Sequence, residues 1–333
     1  MSERRFHVSP YLLLTLTSLF WAGNWVVGRG IRADVPPIAL SFWRWAIAFV
    51  LLLPIAWPHV RAQRAALARH WRVLLVLGLT GGACHNALTY TGLAYTSATN
   101  GVLLASSTPI MIIALSRLIL GKRVRPMEWI GVTVSLFGIL AIVSAGDPGR
   151  LAALRANPGD LWVLVAMLSW ALYTVLLHWR PGGLHPYAFL AAIALFGLIG
   201  LLPFYAWEIG SGRRIVPGWA AFAAIGYAGV FPALVGFIFW NRAVSEVGAN
   251  RAGIFMHLMP PFGILLSMIF LAEEPAGYHA AGIALILGGI FLTTRAGARG
   301  QRTEDRRTRN PQPETHRSEG KGVDDASRRS HEG

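Results

Sequence analysis

The feature that most constrains this chain is a series of apolar stretches, each close to the length of a bilayer crossing. They cover residues 10–29, 38–57, 72–93, 98–120, 128–146, 159–179, 185–207, 217–240, 250–271 and 277–295. A hydrocarbon core needs about 20 predominantly apolar residues per helix. Inside it every backbone N–H and C=O must find a protein partner, so only helices and closed barrels cross. Runs of this length select the helix, and the pattern predicts an all-α integral membrane protein of ten transmembrane helices. Gly81-Gly82, Pro109, Pro232 and Pro260-Pro261 interrupt several runs. Such breaks are tolerated where neighbouring helices satisfy the freed carbonyls.

Charge is scarce and placed at the ends of these runs. Charged residues make up 14% of the chain, against about 25% in an ordinary soluble domain. Residues 296–333 hold nine of the 30 Lys+Arg and seven of the 16 Asp+Glu. The net charge of +14 therefore reflects arginines punctuating apolar runs, and no nucleic-acid partner is expected. With the N-terminus in the cytoplasm, the inner loops carry twelve Lys and Arg and the outer loops six. By the positive-inside rule both termini are then cytoplasmic, in the inner (cell) membrane. The first apolar run continues past the length of a signal-peptide core, so it reads as a retained helix. Residues 296–333 are polar, charged and nearly free of aromatics, and read as a disordered cytoplasmic tail. Cys84 is the single cysteine, which leaves no intrachain disulfide and no cysteine metal cluster.

The chain repeats itself. Residues 109–145 laid on 260–296, an offset of 151, are identical at ten of 37 positions, among them Pro109/Pro260, Gly131/Gly282 and Gly138/Gly289. This divides it into a first five-helix repeat at 1–147, a second at 159–295, and the tail. An odd number of helices per half forces the halves to insert with opposite orientation. Lys122-Arg123 in the first half falls on Glu273-Glu274 in the second, as loops on opposite sides of a membrane would allow.

The ordered motifs resemble the EamA-type branch of the drug/metabolite transporter superfamily. They are Phe-Trp-Ala-Gly-Asn-Trp (20–25), Phe-Trp-Arg-Trp (42–45), Ala-Tyr-Thr-Ser-Ala-Thr-Asn (94–100) before Ser-Thr-Pro, and Leu-Gly-Lys with Glu-Trp-Ile-Gly. The second half supplies Phe-Trp-Asn-Arg-Ala-Val-Ser-Glu-Val-Gly-Ala-Asn-Arg-Ala (239–252), Leu-Met-Pro-Pro and Leu-Ala-Glu-Glu-Pro. The resemblance spans residues 10–295. It implies two inverted five-helix repeats around a central cavity that moves small organic solutes, amino acids among them. The family pattern ends the fourth-helix motif in Leu-Gly-Glu. This chain has Lys122 there and keeps Glu273 in the second half.

A site within the membrane must gather polar side chains from several helices, because a lone polar group in hydrocarbon is costly. The candidates are Trp21 and Asn24 on the first helix, Arg44 on the second, His85, Asn86 and Tyr90 on the third, and Asn100 on the fourth. Trp170 and Tyr173 on the sixth, Tyr227 and Trp240 on the eighth and His257 on the ninth complete the set. Arg44 can snorkel to the surface or face the cavity. His85 and His257 can line the pathway or serve as neutral, hydrogen-bonded packing residues. Trp43, Trp45, Trp57, Trp71, Trp162, Trp207 and Trp219 fit an interfacial belt.

Three absences narrow the function. No Asp or Glu falls mid-membrane, no Gly-x-x-x-x-Gly-Lys-Ser/Thr loop is present, and neither His-Glu-x-x-His nor paired aspartates occur on one helix. We expect a secondary transporter and not an enzyme, with no cofactor and no metal. It would export small amphiphilic metabolites such as amino acids by alternating access. A multidrug, nucleoside or metabolite carrier of the same fold is the alternative, with an integral membrane enzyme the remoter one. The partners are the lipid bilayer and a small-molecule substrate, and monomer and homodimer both fit.

Overall fold

A computed structural model describes residues 8–96, 98–122, 125–153, 157–271 and 276–309, and every regular element among them is helical. We number the helices α1 (Pro10–Gly30), α2 (Pro37–Ala62), α3 (Trp71–Tyr95), α4 (Ala98–Ala105 and Thr108–Leu120), α5 (Pro126–Val143) and α6 (Pro158–Trp179). They continue with α7 (Pro186–Gly210), α8 (Trp219–Val247), α9 (Ala249–Gly253, Ile254–Leu258 and Met259–Leu271) and α10 (Gly277–Arg309). Proline opens α1, α2, α5, α6 and α7. There its missing N–H is no loss and its fixed φ suits the first turn.

Among the described residues, nine helices are long and apolar enough to cross a membrane. The expected ninth span, 250–271, is not one of these nine. It is built of three consecutive pieces, with a 3₁₀ turn at Ile254–Leu258 ahead of Pro260 and Pro261. Two successive residues without an N–H cannot continue the regular hydrogen-bond ladder. The apolar part of α10 ends at Arg295, as expected, while its helical backbone runs on to Arg309. Arg123, Glu273 and Glu274, whose charges exchange between the halves, lie outside the described residues.

The repeat is visible in the geometry. Both α3 and α8 contain a π turn, at Gly78–Cys84 and Gly229–Val235, 151 positions apart. A π turn leaves carbonyls that the next turn does not claim, and side chains of the opposite half take them. The Ser169 hydroxyl on α6 donates to the Thr80 carbonyl at 2.9 Å, and Trp21 Nε1 on α1 donates to the Pro232 carbonyl at 3.1 Å. Thus α3 rests on α6 as α8 rests on α1.

Helices α5 and α10, equivalent in the two halves, cross almost backbone to backbone. A Cβ added at Gly138 would lie 2.5 Å from the Gly282 carbonyl oxygen, and one at Gly131 would lie 2.6 Å from that of Gly289. The earlier glycine of one helix thus meets the later glycine of the other, so the two helices run antiparallel. Equivalent helices running in opposite directions are the geometry of an inverted repeat.

Helices α2 and α7 also pair, and each end of the pair is fastened differently. The Glu208 carboxylate on α7 accepts the N–H groups of Ile38 (3.2 Å) and Ala39 (2.7 Å), capping the start of α2. At the other end Gln63 donates to the Gly183 carbonyl and accepts from the His185 N–H, each at 2.8 Å. Beside it the His59 and His185 rings stack at 3.5 Å. One belt expectation is corrected here. Trp45 is fully buried and packs edge-on against Phe237 at 4.6 Å, because α2 turns this face toward α8 and not toward lipid.

Candidate functional site

A polar chamber of about 30 Å³ lies among α1, α2, α3, α6, α8 and α9. From α1 come Trp21, Asn24 and Trp25, from α2 Arg44, from α3 His85, Asn86, Thr89 and Tyr90, and from α6 Met167 and Trp170. Phe237, Met256, Met259 and Ala105 complete the wall. The third-helix residues begin where its π turn ends. Asn86 Nδ2 donates back to the Gly82 carbonyl at 3.3 Å, which ties the chamber wall to that turn.

Arg44 is the centre of the polar network. It is 2% exposed, and its Nη1 donates to Asn86 Oδ1 at 2.7 Å and to the Tyr90 hydroxyl at 3.2 Å. The Asn24 amide meets the same hydroxyl, 2.7 Å from Nδ2 and 3.0 Å from Oδ1. Arg44 Nε has no hydrogen-bond partner. No carboxylate among the described residues pairs with this guanidinium, and no acidic side chain lines the chamber. A buried charge with no opposite charge beside it is costly, so this guanidinium favours an anionic partner.

His85 sits opposite. Its Nδ1 lies 3.1 Å from the Ala166 carbonyl oxygen, and its ring is 4.9 Å from that of Trp170. A carbonyl only accepts, so Nδ1 carries the proton and Nε2 keeps a lone pair.

Above the chamber opens a vestibule of about 1010 Å³. Trp25, Tyr90, Ala105, Met256 and Met259 line both spaces, so the chamber is the floor of the vestibule. Its walls are mostly apolar, and Arg32 is the charged residue among them. The mouth lies where α1, α3 and α5 end, at Arg32, Thr96 and Val143.

Seven of the expected residues therefore converge: Trp21, Asn24, Arg44, His85, Asn86, Tyr90 and Trp170. Arg44 faces inward and does not snorkel. Four others stand behind or beside the chamber. Trp240 is fully buried, 5.1 Å from Trp21 and 5.5 Å from Trp170. The Tyr173 hydroxyl donates to Asn241 Oδ1 at 2.6 Å, and that of Tyr227 to the Phe20 carbonyl at 3.1 Å. His257 Nε2 lies 3.0 Å from the Ser106 carbonyl oxygen. The side chain of Asn100 lies outside the described residues. Sequence reasoning missed Trp25, Met167, Phe237, Met256 and Met259. The four apolar side chains other than Trp25 carry no polar signal within apolar runs. Trp25, within the motif at 20–25, could have been found by its neighbour Asn24.

A bundle of membrane-crossing helices with a polar chamber under an open vestibule defines a multi-pass membrane transporter. The model of the EamA-like transporter family matches residues 8–144 and again 157–295, and the chain belongs to that family, within the drug/metabolite transporter superfamily. It is similar to the uncharacterized transporter YetK of Bacillus subtilis (strain 168), 28% identical over 86% of this chain and 87% of that one. An uncharacterized transporter of Archaeoglobus fulgidus is 29% identical over 85% and 96%. A probable terminal-alkyne amino-acid exporter of Streptantibioticus cattleyicolor is 28% identical over 85% and 92%. A solved structure at 20% identity shares the fold, with a TM-score of 0.70 over 87% of this chain and 98% of the other.

Proposed function

We propose that this protein exports small amphiphilic metabolites that carry a carboxylate, of the size of amino acids, by alternating access across the inner membrane. The observation that carries this reading is Arg44, buried and without a carboxylate partner at the floor of a largely apolar vestibule. Arginine holds a carboxylate through directed N–H bonds, and an apolar body would fill the space above. The similarity to a probable amino-acid exporter supports the same size class. The inverted halves supply two related conformations, as alternating access requires.

With both termini in the cytoplasm, the mouth at Arg32, Thr96 and Val143 faces outward and the chamber is closed toward the cytoplasm. Among the described residues no carboxylate lines the chamber or the vestibule and His85 is the histidine that does, so we expect facilitated transport or exchange. Counterflow into proteoliposomes, with labelled amino acids, other carboxylates, nucleosides and cationic drugs, tests the reading. Counterflow of carboxylates is expected. Counterflow confined to nucleosides or cationic drugs would replace it with the reading of a multidrug or nucleoside carrier.

A further inference from the structure

The charge inventory of the path says more about the substrate than its size does. Among the described residues the charged side chains that line it are Arg32 at the mouth and Arg44 in the chamber, and both are cationic. An α-amino acid brings an ammonium within a few ångströms of its carboxylate. In this chamber that ammonium would lie beside the Arg44 guanidinium in a region of low dielectric, where like charges repel strongly. Among the described residues lining the chamber there is no aspartate or glutamate to offset the repulsion. The aromatic faces of Trp21, Trp25 and Trp170 attract cations, but none of them carries a formal negative charge to offset the guanidinium.

What the chamber offers next to Arg44 is neutral. His85 donates from Nδ1 to the Ala166 carbonyl, so Nε2 is a lone-pair acceptor, with no donor to it among the described residues. Such an atom accepts a hydroxyl or amide N–H without asking for a charge. The chamber, about 30 Å³, is far smaller than the vestibule of about 1010 Å³ that opens onto it, so a head group reaches into it while the body stays above.

Resting on the export reading above, we infer that the transported species is a net anion: an apolar monocarboxylate whose neighbouring substituent is a neutral hydrogen-bond donor, such as a 2-hydroxyl, in place of an ammonium. The carboxylate sits on Arg44, the neutral donor on His85 Nε2, and the body among Trp25, Met256 and Met259.

A matched set of probes tests this: L-3-phenyllactate, L-phenylalanine and 3-phenylpropionate share one body and differ only beside the carboxylate. Binding to the purified full-length protein in detergent is read by tryptophan fluorescence, since Trp21, Trp25 and Trp170 line the chamber. We expect phenyllactate to bind about tenfold tighter than phenylalanine, the scale of one charge-dependent contact. The His85→Phe variant should abolish the preference for phenyllactate over phenylpropionate. Arg44→Gln should weaken both anions by about tenfold or more, with Arg44→Lys retaining part of the affinity. The wild-type comparison needs no variant to fold. Phenylalanine binding as tightly as phenyllactate would overturn the inference and leave export of amphiphilic carboxylates standing. Failure of all three to bind, together with absent carboxylate counterflow, would remove both.

Discussion

Nε2 of His257 donates a hydrogen bond to the carbonyl oxygen of Ser106 at 3.0 Å, and the two residues are 151 positions apart, the offset that lays one half of the chain on the other. They are therefore repeat mates in contact. They meet where α4 breaks between Ala105 and Thr108 and α9 passes through its 3₁₀ turn. A hydrogen bond between equivalent positions fastens the halves together at their shared break.

From this contact we expect His257 to act as a fastener between the halves. Replacing it with Phe should leave the Ser106 carbonyl unpaired and lower stability by about 1–3 kcal/mol. Substrate affinity should be unchanged. Thermal unfolding and ligand titration in the same detergent check it. Lost affinity with an unchanged melting temperature would return His257 to the transport path.

Glu208 caps α2 from another helix, and Glu208→Ala would strand the N–H groups of Ile38 and Ala39 in a buried setting. We expect a loss of about 1–3 kcal/mol, with Glu208→Gln recovering part of it because its oxygen can still accept one bond. A melting temperature unaffected by Glu208→Ala would show that water or the backbone replaces the cap.

The opposite end of the same helix pair should respond to acid. Burial, the adjacent His59 and the Arg180 guanidinium all disfavour charge on His185 and hold its pKa below the ordinary 6.5. A pKa depressed by folding means that the unfolded chain binds the proton more readily. The stabilisation from His185 is therefore complete above about pH 6.5 and lost as pH falls below it. Melting temperature against pH should be flat on the alkaline side and decline on the acid side. His185→Asn keeps a capping side chain and should flatten the acid limb. An equal decline in that variant would place the acid sensitivity elsewhere.

The α5–α10 crossing should tolerate no side chain. Gly138→Ala would push a methyl group to 2.5 Å from the Gly282 carbonyl oxygen, and we expect a loss of about 1–3 kcal/mol as the helices part. Gly226→Ala is the control, since a Cβ there meets nothing within 4 Å; it should be neutral or mildly stabilising. Similar melting temperatures for the two variants would mean the crossing is looser than its geometry.

Much of this was legible because a bilayer imposes simple rules. Pro10, Pro37, Pro126, Pro158 and Pro186 mark helix starts, and Gly131/Gly282 with Gly138/Gly289 mark the repeat and, in space, the crossing. The polar half of the chamber was also legible, since Asn24, Arg44, His85 and Asn86 are costly in hydrocarbon and need a reason to be there. The rest was hidden for physical reasons. Met167, Met256 and Met259 look the same facing lipid or a cavity. Tyr173 and Tyr227 carry hydroxyls that a neighbouring residue can satisfy as well as a substrate can. The direction a tryptophan faces, as at Trp45, depends on which helix lies behind it.

The two tyrosine–asparagine contacts carry a further consequence. Asn24 on α1 meets Tyr90 on α3, and Tyr173 on α6 meets Asn241 on α8. Tyr90 and Asn241 are repeat mates 151 positions apart, so the same clasp is built twice with its two partners exchanged. Only the first clasp touches Arg44. On the proposed function, duplication has kept the clasp in both halves while setting only one of them beside the guanidinium that would read cargo. If cargo is gripped there, one half holds its head group, and we expect the outward-open and inward-open ends of the cycle to differ in energy instead of mirroring each other.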